Sequence, residues 1–224
     1  MLVSHTKKFI FLKTISAAGT SIESYLEKYC MDEAEWELRI STETKVSDYG
    51  IIGQRFLGGT ERPEYYAHQR ATMLKPILGD DIWNNYFKIC SVRNPYEKLI
   101  STFFKLYPHM NSSDPSLDAL FYSWVTVGQL AEHSTKDSAI YTIDNELCVD
   151  YVIRYENLYE DMNEVCTRLD INWNESLFNV LKKDETILPS KDDLIKRLIT
   201  PEIKEIIDVW YAFELSHFNY QYPE

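Results

Sequence analysis

Two stretches of the chain combine small residues, hydroxyl groups and cationic side chains in a way that suits the binding of an anion. The first, KFIFLKTISAAGTSIESYL at 8–26, has the pattern of an apolar strand, a turn of small residues and an amphipathic helix. Backbone N–H groups at a helix N-terminus attract anions, together with the helix dipole. Lys13 would add a positive charge at the strand end. The small and hydroxyl residues that would contact the anion are Ala17, Ala18, Gly19, Thr20 and Ser21.

An ordinary capped helix explains the first stretch as well. Thr20 or Ser21 could be the N-cap residue, with no ligand involved. The stretch is not a Walker A loop, because no lysine follows Gly19, and it lacks the G-x-G-x-x-G spacing of dinucleotide-binding turns. The residues alone leave both interpretations open.

The second stretch, YFKICSVRNPYEKLISTFFK at 86–105, repeats the strand–turn–helix pattern. Arg93 follows the strand directly, Asn94 can cap the helix, and Pro95 suits its first position. Ser101 would lie roughly 10 Å along the helix from its start. Because a guanidinium donates two parallel hydrogen bonds to a phosphate, Arg93 and Ser101 could bind one phosphate group. The alternative is an arginine that forms a surface salt bridge.

The alternation of strands with helices predicts an α/β fold. Short apolar runs typical of buried strands occur at 8–12, 86–92 and 149–153. Apolar residues at helical spacing occur at 22–30, 117–125, 162–169 and 203–211. Thr200 and Pro201 are the predicted cap and first residue of the last helix. We expect a single domain over 1–224, with a P-loop-like central parallel sheet flanked by helices on both faces.

The charge and composition exclude several function classes. The 224 residues carry a formal net charge of −12, which argues against general binding of nucleic acid or of an anionic membrane. No apolar run approaches the roughly 18–20 residues of a membrane span, and the run at 9–12 is too short for a signal peptide. The four cysteines form no C-x-x-C pair, and no histidine lies at metal-ligand spacing. We therefore expect reduced cysteines, no metal and a cytoplasmic protein.

Taken together, the two stretches resemble the phosphosulfate-binding and 3′-phosphate-binding signatures of sulfotransferases that use 3′-phosphoadenosine 5′-phosphosulfate (PAPS). The chain is similar to the carbohydrate-type group that includes uronyl 2-O-sulfotransferases and their soluble bacterial relatives. In that group the signatures have the form K-T-A-G-T-S and V-R-N-P-y-e-r-l-v-S. A third block of the group resembles VIRYENLYEDM at 152–162. One position departs: Ser16 stands where the group has its loop lysine, and Lys13 lies three residues earlier.

The resemblance implies PAPS as co-substrate, a hydroxyl-bearing acceptor that we expect to be a saccharide, and no metal. His68, in PEYYAHQRATMLKPIL at 63–78, corresponds to the group's general base, and an ordinary pKa of about 6.5 suits histidine for that task. Arg93 and Ser101 correspond to the residues that bind the 3′-phosphate. Lys191 lies where similar proteins have a loop over the nucleotide, with a solvated helix start as its alternative. The residues that correspond to the phosphosulfate loop are Lys13, Ser16, Ala17, Ala18, Gly19, Thr20 and Ser21.

Two other functions are compatible with the same residues. A nucleotide-dependent phosphotransferase would also bind phosphates at the two turns, although the Walker A lysine is missing. A protein that binds the nucleotide without turning it over would explain Ser16 at the position of the loop lysine. Magnesium dependence would favour the first alternative. Tight binding of 3′-phosphoadenosine 5′-phosphate (PAP) without any transfer would favour the second.

Overall fold

The computed structural model describes residues 1–37, 43–55, 63–127, 137–181 and 191–223. The chain divides into two compact units, Met1–Val92 with Ala139–Lys183 and Arg93–Ser138 with Asp184–Glu224. The single domain over 1–224 stays a prediction. The strands are β1 (Leu2–Ser4), β2 (Phe9–Leu12), β3 (Lys45–Ser47), β4 (Gly50–Ile52), β5 (Phe87–Val92), β6 (Thr142–Ile143), β7 (Glu146–Leu147) and β8 (Tyr151–Arg154). The α-helices are α1 (Gly19–Leu26), α2 (Ala71–Asn85), α3 (Pro95–Leu106), α4 (Leu117–Thr126), α5 (Ser138–Tyr141), α6 (Leu158–Arg168), α7 (Glu175–Leu181), α8 (Lys191–Leu198), α9 (Pro201–Trp210) and α10 (Ala212–His217).

A six-stranded sheet forms the centre of the first unit, in the order β3-β4-β1-β2-β5-β8. Strands β2, β5 and β8 pair in parallel, which confirms the prediction from the three apolar runs. The other three strands pair antiparallel, so the α/β fold with parallel central strands is confirmed and the sheet as a whole is mixed. The reason is local: only residues 5–8 join β1 to β2, and so short a connection requires antiparallel pairing. The P-loop-like character of the sheet stays a prediction.

Strand β2, inside this sheet, is buried on both faces. On one face, Phe9 and Phe11 of β2 pack with apolar residues of α1, α6 and α7 in a continuous core. On the other face, Ile10 and Leu12 of the same strand are also fully buried. A strand buried on both faces carries an unbroken apolar run, which is why the sequence FIFL is so easily recognised.

Some helices of the first unit agree with the helices predicted from apolar spacing, and α2 does not. Helix α1 starts at Gly19 and continues as a 3-10 helix over Glu27–Cys30, and α6 matches the apolar spacing at 162–169. Helix α2 was not predicted. It contains Pro76, and Gly79 with a φ of 77° interrupts its helical geometry. Both residues disfavour a regular helix, and for this reason the residues at 71–85 do not predict one.

The described residues of the second unit include five helices that pack around an aromatic core. The caps follow the predicted pattern. The Asn94 side chain accepts from Tyr96 N at 3.1 Å ahead of α3, and Thr200 accepts from Ile203 N at 3.3 Å ahead of α9. The core residues include Leu99, Phe103, Phe121, Trp124, Leu194, Leu198, Ile203 and Ile207.

The four cysteines are free thiols, and all except Cys148 are buried. Within the described ranges, no helix combines the length and apolar character that crossing a bilayer requires. The same ranges contain no group of His, Cys, Asp and Glu side chains arranged to hold a metal ion.

Candidate active site

The turn between β2 and α1 presents backbone N–H groups beyond the reach of the helix carbonyls. Helix α1 begins at Gly19, and its N-cap residue is Ala18, which makes no side-chain capping bond. The first N–H groups of any helix lack acceptors within that helix. Thr20 and Ser21 are the next helical residues, so the alternative in which one of them is the N-cap is wrong. The first turn of α1 therefore has donors suited to a bound anion.

The backbone of this turn is strained. Ser16 and Ala18 have positive φ values of 53° and 57°. Such left-handed geometry costs about 1–2 kcal/mol for a residue with a Cβ atom. Residues held this way cluster at ligand clamps, and turns that mix left-handed and right-handed residues form concave nests of N–H groups that bind anions.

Two contacts fix the turn to the sheet. The Thr14 hydroxyl donates to the Ser91 carbonyl oxygen at 2.6 Å, and both residues are buried. This bond ties the turn to the carboxyl-terminal half of β5. Gly19 lies so close to the incoming chain that a Cβ atom there would be 2.8 Å from Lys13 Cγ, so only glycine fits without displacement.

A buried ion network lies behind the turn. Lys13 Nζ donates to Glu23 Oε2 at 2.6 Å, and Arg55 Nε lies 3.0 Å from the same oxygen. The Met1 amino group donates to Glu23 Oε1 at 2.6 Å, and Arg55 also pairs with Glu27. Burial alone would raise the pKa of Glu23, but the three surrounding cations outweigh it and hold that pKa well below its ordinary value. Burial raises the pKa of Glu27, against the opposing charge of Arg55.

His68 faces the carbonyl group of Lys13. Its Nδ1 atom lies 3.1 Å from that carbonyl oxygen, which can only accept, so Nδ1 carries the proton and Nε2 carries the lone pair. Burial, reinforced by the nearby Lys13 ammonium, lowers the pKa of His68 from 6.5 to about 4. The imidazole is therefore neutral at pH 7 and oriented to accept a proton at Nε2.

The segment that carries His68 is held by its own hydrogen bonds. Gln54 N donates to Tyr65 O at 3.0 Å, and Ala67 N donates to Gln54 O at 2.8 Å. The Gln69 side chain accepts from Tyr66 N at 3.3 Å. These bonds fix the backbone on both sides of His68, which itself has a positive φ of 62°. The two backbone bonds join this segment to Gln54, the residue that directly precedes Arg55.

The second predicted stretch, 86–105, divides after its strand: residues up to Val92 belong to the first unit, and Arg93 with α3 belongs to the second. Arg93 is buried, and its Nη2 atom lies 3.2 Å from Glu97 Oε2, so the alternative of a surface arginine is wrong about its exposure. Ser101 is half-buried on α3. Lys191 is the first residue of α8, and its side chain lies outside what the structure describes. Phosphate binding by these three residues stays a prediction.

The third block has a structural contact at its centre. The Asp161 carboxylate accepts from Arg154 N at 2.6 Å and from the Tyr151 hydroxyl at 2.9 Å. One aspartate thus joins the end of β8 to the first turns of α6. The block at 152–162 therefore contains the residues that hold this strand–helix junction together.

Sequence reasoning missed Thr14, Glu23 and Arg55. Glu23 lies four residues after Gly19 and three before Leu26, so it belongs to the face of the helix that also carries small and apolar residues. A charged residue on such a face is a usable signal of a buried ion pair. Arg55 and Thr14 carry no comparable pattern. Their roles depend on partners that are far away in the sequence.

The comparisons agree with this geometry at the level of the family. No curated protein matches the chain. The model of the family described as "Sulfotransferase family" matches residues 1–221, which is nearly the whole chain. The chain belongs to the sulfotransferase family.

Proposed function

We propose that this chain transfers a sulfuryl group from PAPS to a hydroxyl group of a saccharide acceptor, with His68 as the general base. The observation that carries the proposal is the arrangement in the first unit. An anion-binding turn without a side-chain cap lies beside Lys13, whose carbonyl oxygen fixes a neutral histidine in the tautomer that a base requires. The four free thiols suit a reducing compartment, and we place the reaction in the cytoplasm.

The turn at 16–21 fits the phosphosulfate group of PAPS. Its small residues permit close approach, and Ala18, the N-cap residue of α1, makes no side-chain bond to the first N–H groups of the helix. Lys13, at the end of β2, supplies a cation beside them. When bound, PAPS supplies an activated sulfuryl group attached to a phosphate leaving group. Fixed N–H donors stabilise the negative charge that develops in the transition state without reorganising.

His68 acts on the acceptor. Its Nε2 atom removes the proton from the acceptor hydroxyl, which makes the hydroxyl oxygen a nucleophile. The Lys13 carbonyl oxygen holds Nδ1–H throughout and stabilises the imidazolium that forms. In the second unit, we assign Arg93 and Ser101 to the 3′-phosphate and Lys191 to the nucleotide. These residues govern the affinity for the nucleotide.

One observation favours a second function, the binding of PAP or PAPS without turnover. Ser16 stands where similar enzymes have a loop lysine, and the Lys13 ammonium is already paired with Glu23. A site in which Lys13 never contacts the sulfonate would bind the nucleotide through backbone groups alone. Such a protein would show tight nucleotide binding and no transfer to any acceptor.

Thermal unfolding with PAP tests nucleotide binding, with AMP and ATP as controls. A ligand at about 100 times its dissociation constant stabilises a protein by roughly 2.7 kcal/mol, which a melting curve resolves. We expect PAP to raise the melting temperature more than AMP does. The Arg93→Ala variant should lose that difference, because the added group in PAP is the 3′-phosphate. A response to ATP alone would contradict the proposal and favour a phosphotransferase.

A transfer assay with radiolabelled PAPS and a panel of neutral and uronate-containing oligosaccharides tests the chemistry. The His68→Ala variant should bind PAP like the wild type and lose transfer, since a positioned base contributes about 10²–10⁴-fold. Loss of PAP binding in this variant would show that His68 is not the base. PAP binding by the wild type without transfer to any member of the panel would favour the binding protein.

A further inference from the structure

Glu23 is a buried carboxylate that the proposed reaction does not use directly. Its side chain is fully buried on α1, and its two oxygens contact Lys13, Arg55 and the Met1 amino group. Burying a charge carries a desolvation penalty of several kcal/mol, and well-packed apolar residues often stabilise a protein as well as a buried ion pair does. An apolar cluster could therefore stabilise this position as well as Glu23 and its cations do together, and the presence of the charged cluster calls for a further explanation.

Lys13 connects Glu23 to the proposed base. Its Nζ atom lies 2.6 Å from Glu23 Oε2, and its carbonyl oxygen lies 3.1 Å from His68 Nδ1. Between these two ends, the Lys13 side chain passes so close to Gly19 that a Cβ atom there would be 2.8 Å from Cγ. The carboxylate, the first residue of α1 and the imidazole thus all contact the same residue.

We propose that Glu23 is a positioning residue for sulfuryl transfer, one that holds the Lys13 ammonium and thereby the carbonyl oxygen that orients His68. The inference rests on the proposed function, because it takes His68 as the base for sulfuryl transfer. Glu23 does not touch the substrate. It acts through Lys13, which we place beside the sulfonate and in contact with the base.

Neutralising Glu23 would free Lys13. In a Glu23→Gln variant, the Lys13 ammonium would be buried beside the Arg55 guanidinium with a neutral amide between them. Like charges in a buried site repel strongly, so the ammonium would move toward solvent and take the Lys13 backbone with it. His68 Nδ1 would then lose a well-placed acceptor. A displacement of about 1 Å in a catalytic group lowers the rate by roughly 10²-fold.

Glu27 provides a matched control. It lies one turn further along the same chain segment, is also buried, and accepts from Arg55 and from Trp36 Nε1. The Glu27→Gln variant removes a carboxylate charge from the same network and leaves the Lys13–Glu23 pair in place. Any general cost of losing a buried charge is therefore shared by the two variants.

The experiment compares wild type, Glu23→Gln, Glu27→Gln, Lys13→Met and the double variant Lys13→Met/Glu23→Gln. The first readout is the histidine nitrogen NMR spectrum of the ligand-free protein, in which wild type and Glu27→Gln should show one His68 tautomer with the proton on Nδ1. Glu23→Gln should show a mixture of tautomers. The second readout is kcat for transfer from radiolabelled PAPS to the best acceptor of the oligosaccharide panel. It should fall by roughly 10²-fold in Glu23→Gln and stay close to wild type in Glu27→Gln.

The double variant separates positioning from stability. If Glu23 acts through Lys13, adding Glu23→Gln to Lys13→Met should change neither the tautomer nor kcat any further. A further large loss would overturn the proposal, as would an unchanged His68 tautomer in Glu23→Gln. If Glu23→Gln alone does not fold, the comparison between Lys13→Met and the double variant still decides. The double variant removes the Lys13 ammonium together with its carboxylate partner and leaves the Met1 amino group facing a neutral amide, so it has one unpaired buried cation fewer than Glu23→Gln.

Failure of the proposed function would give a different pattern. If the wild type neither responds to PAP nor transfers sulfuryl groups, the reaction assignment is wrong whatever the variants do. The tautomer comparison in the ligand-free protein then still tests whether Glu23 orients His68. A single tautomer in Glu23→Gln with normal PAP binding would instead leave the reaction intact and refute the role of Glu23.

Discussion

At the scale of single residues, Lys13 sets the tautomer of His68 and adds to the lowering of its pKa by burial. Its carbonyl oxygen selects the form with the proton on Nδ1, and its ammonium adds to the effect of burial in lowering the pKa. With a pKa of about 4, His68 is deprotonated at neutral pH, and as the proposed base it would be weak. Because anions near an imidazole raise its pKa, a bound polyanion would strengthen the base when it is needed.

We predict that His68 in the ligand-free protein titrates near pH 4, measured from its ring chemical shifts by NMR. The Lys13→Met variant should raise this pKa, because it removes the cation that opposes protonation while burial is retained. A midpoint near the ordinary value of 6.5 in the wild type would contradict both the burial and the charge environment described for His68. No change in Lys13→Met would assign the low pKa to burial and to the Met1 amino group, with no part for Lys13.

At the scale of elements, the strand–turn–helix segment at 8–26 could be predicted from its residues, but its backbone geometry could not. The apolar run and the small residues that follow it indicate where the strand ends and the helix starts. Left-handed backbone usually signals glycine, whereas here Ser16 and Ala18 adopt it. Their conformation depends on tertiary anchors such as the Thr14–Ser91 bond, which joins residues far apart in the chain.

We predict that Thr14→Val loosens the turn. Valine has a similar shape but cannot donate, so the buried Ser91 carbonyl oxygen loses this bond, at about 1–3 kcal/mol of unfolding free energy. The affinity for PAP should also fall, because the N–H groups of the turn lose their fixed positions. Urea unfolding and calorimetric titration with PAP, well below the melting temperature, measure the two effects.

Thr167→Val is the matched control for the loosened turn. It removes a hydroxyl-to-carbonyl bond to Asn163 O at an exposed site on α6, and it should leave PAP binding unchanged. If Thr14→Val binds PAP as tightly as this control does, Thr14 does not hold the binding turn.

At the scale of the whole molecule, the sequence predicts the parallel strands well and the antiparallel strands poorly. Strands β2, β5 and β8 are evident because each belongs to a short apolar run that is typical of a buried strand. Strands β1 and β3 have only three residues each, and β3 is mostly exposed, so neither has a pattern that distinguishes it from a loop. The buried ion network was missed for a related reason, because isolated charged residues are usually solvated and only the fold brings Lys13, Glu23 and Arg55 together.

The buried titratable groups predict how the stability of the molecule depends on pH. The pKa of His68 is about 4 when folded and about 6.5 when unfolded, so between these values the unfolded chain binds the additional proton. The free energy of unfolding should therefore fall as pH decreases through this window, by up to roughly 3 kcal/mol. The pKa of Glu23, held low by its cations, adds a loss that begins only below about pH 4.5.

We predict that His68→Gln removes the first of these losses and leaves the second. Urea unfolding at about pH 7, 5 and 4 should show a steep decline in the wild type between the first two values and a shallow one in the variant. Below about pH 4.5, both proteins should show the additional loss that comes from Glu23, because Glu23 and its cationic partners are unchanged. Equal slopes for the two proteins between pH 7 and 5 would contradict a buried, neutral His68. They would also remove the physical basis for treating this histidine as a base fixed in one tautomer by the fold.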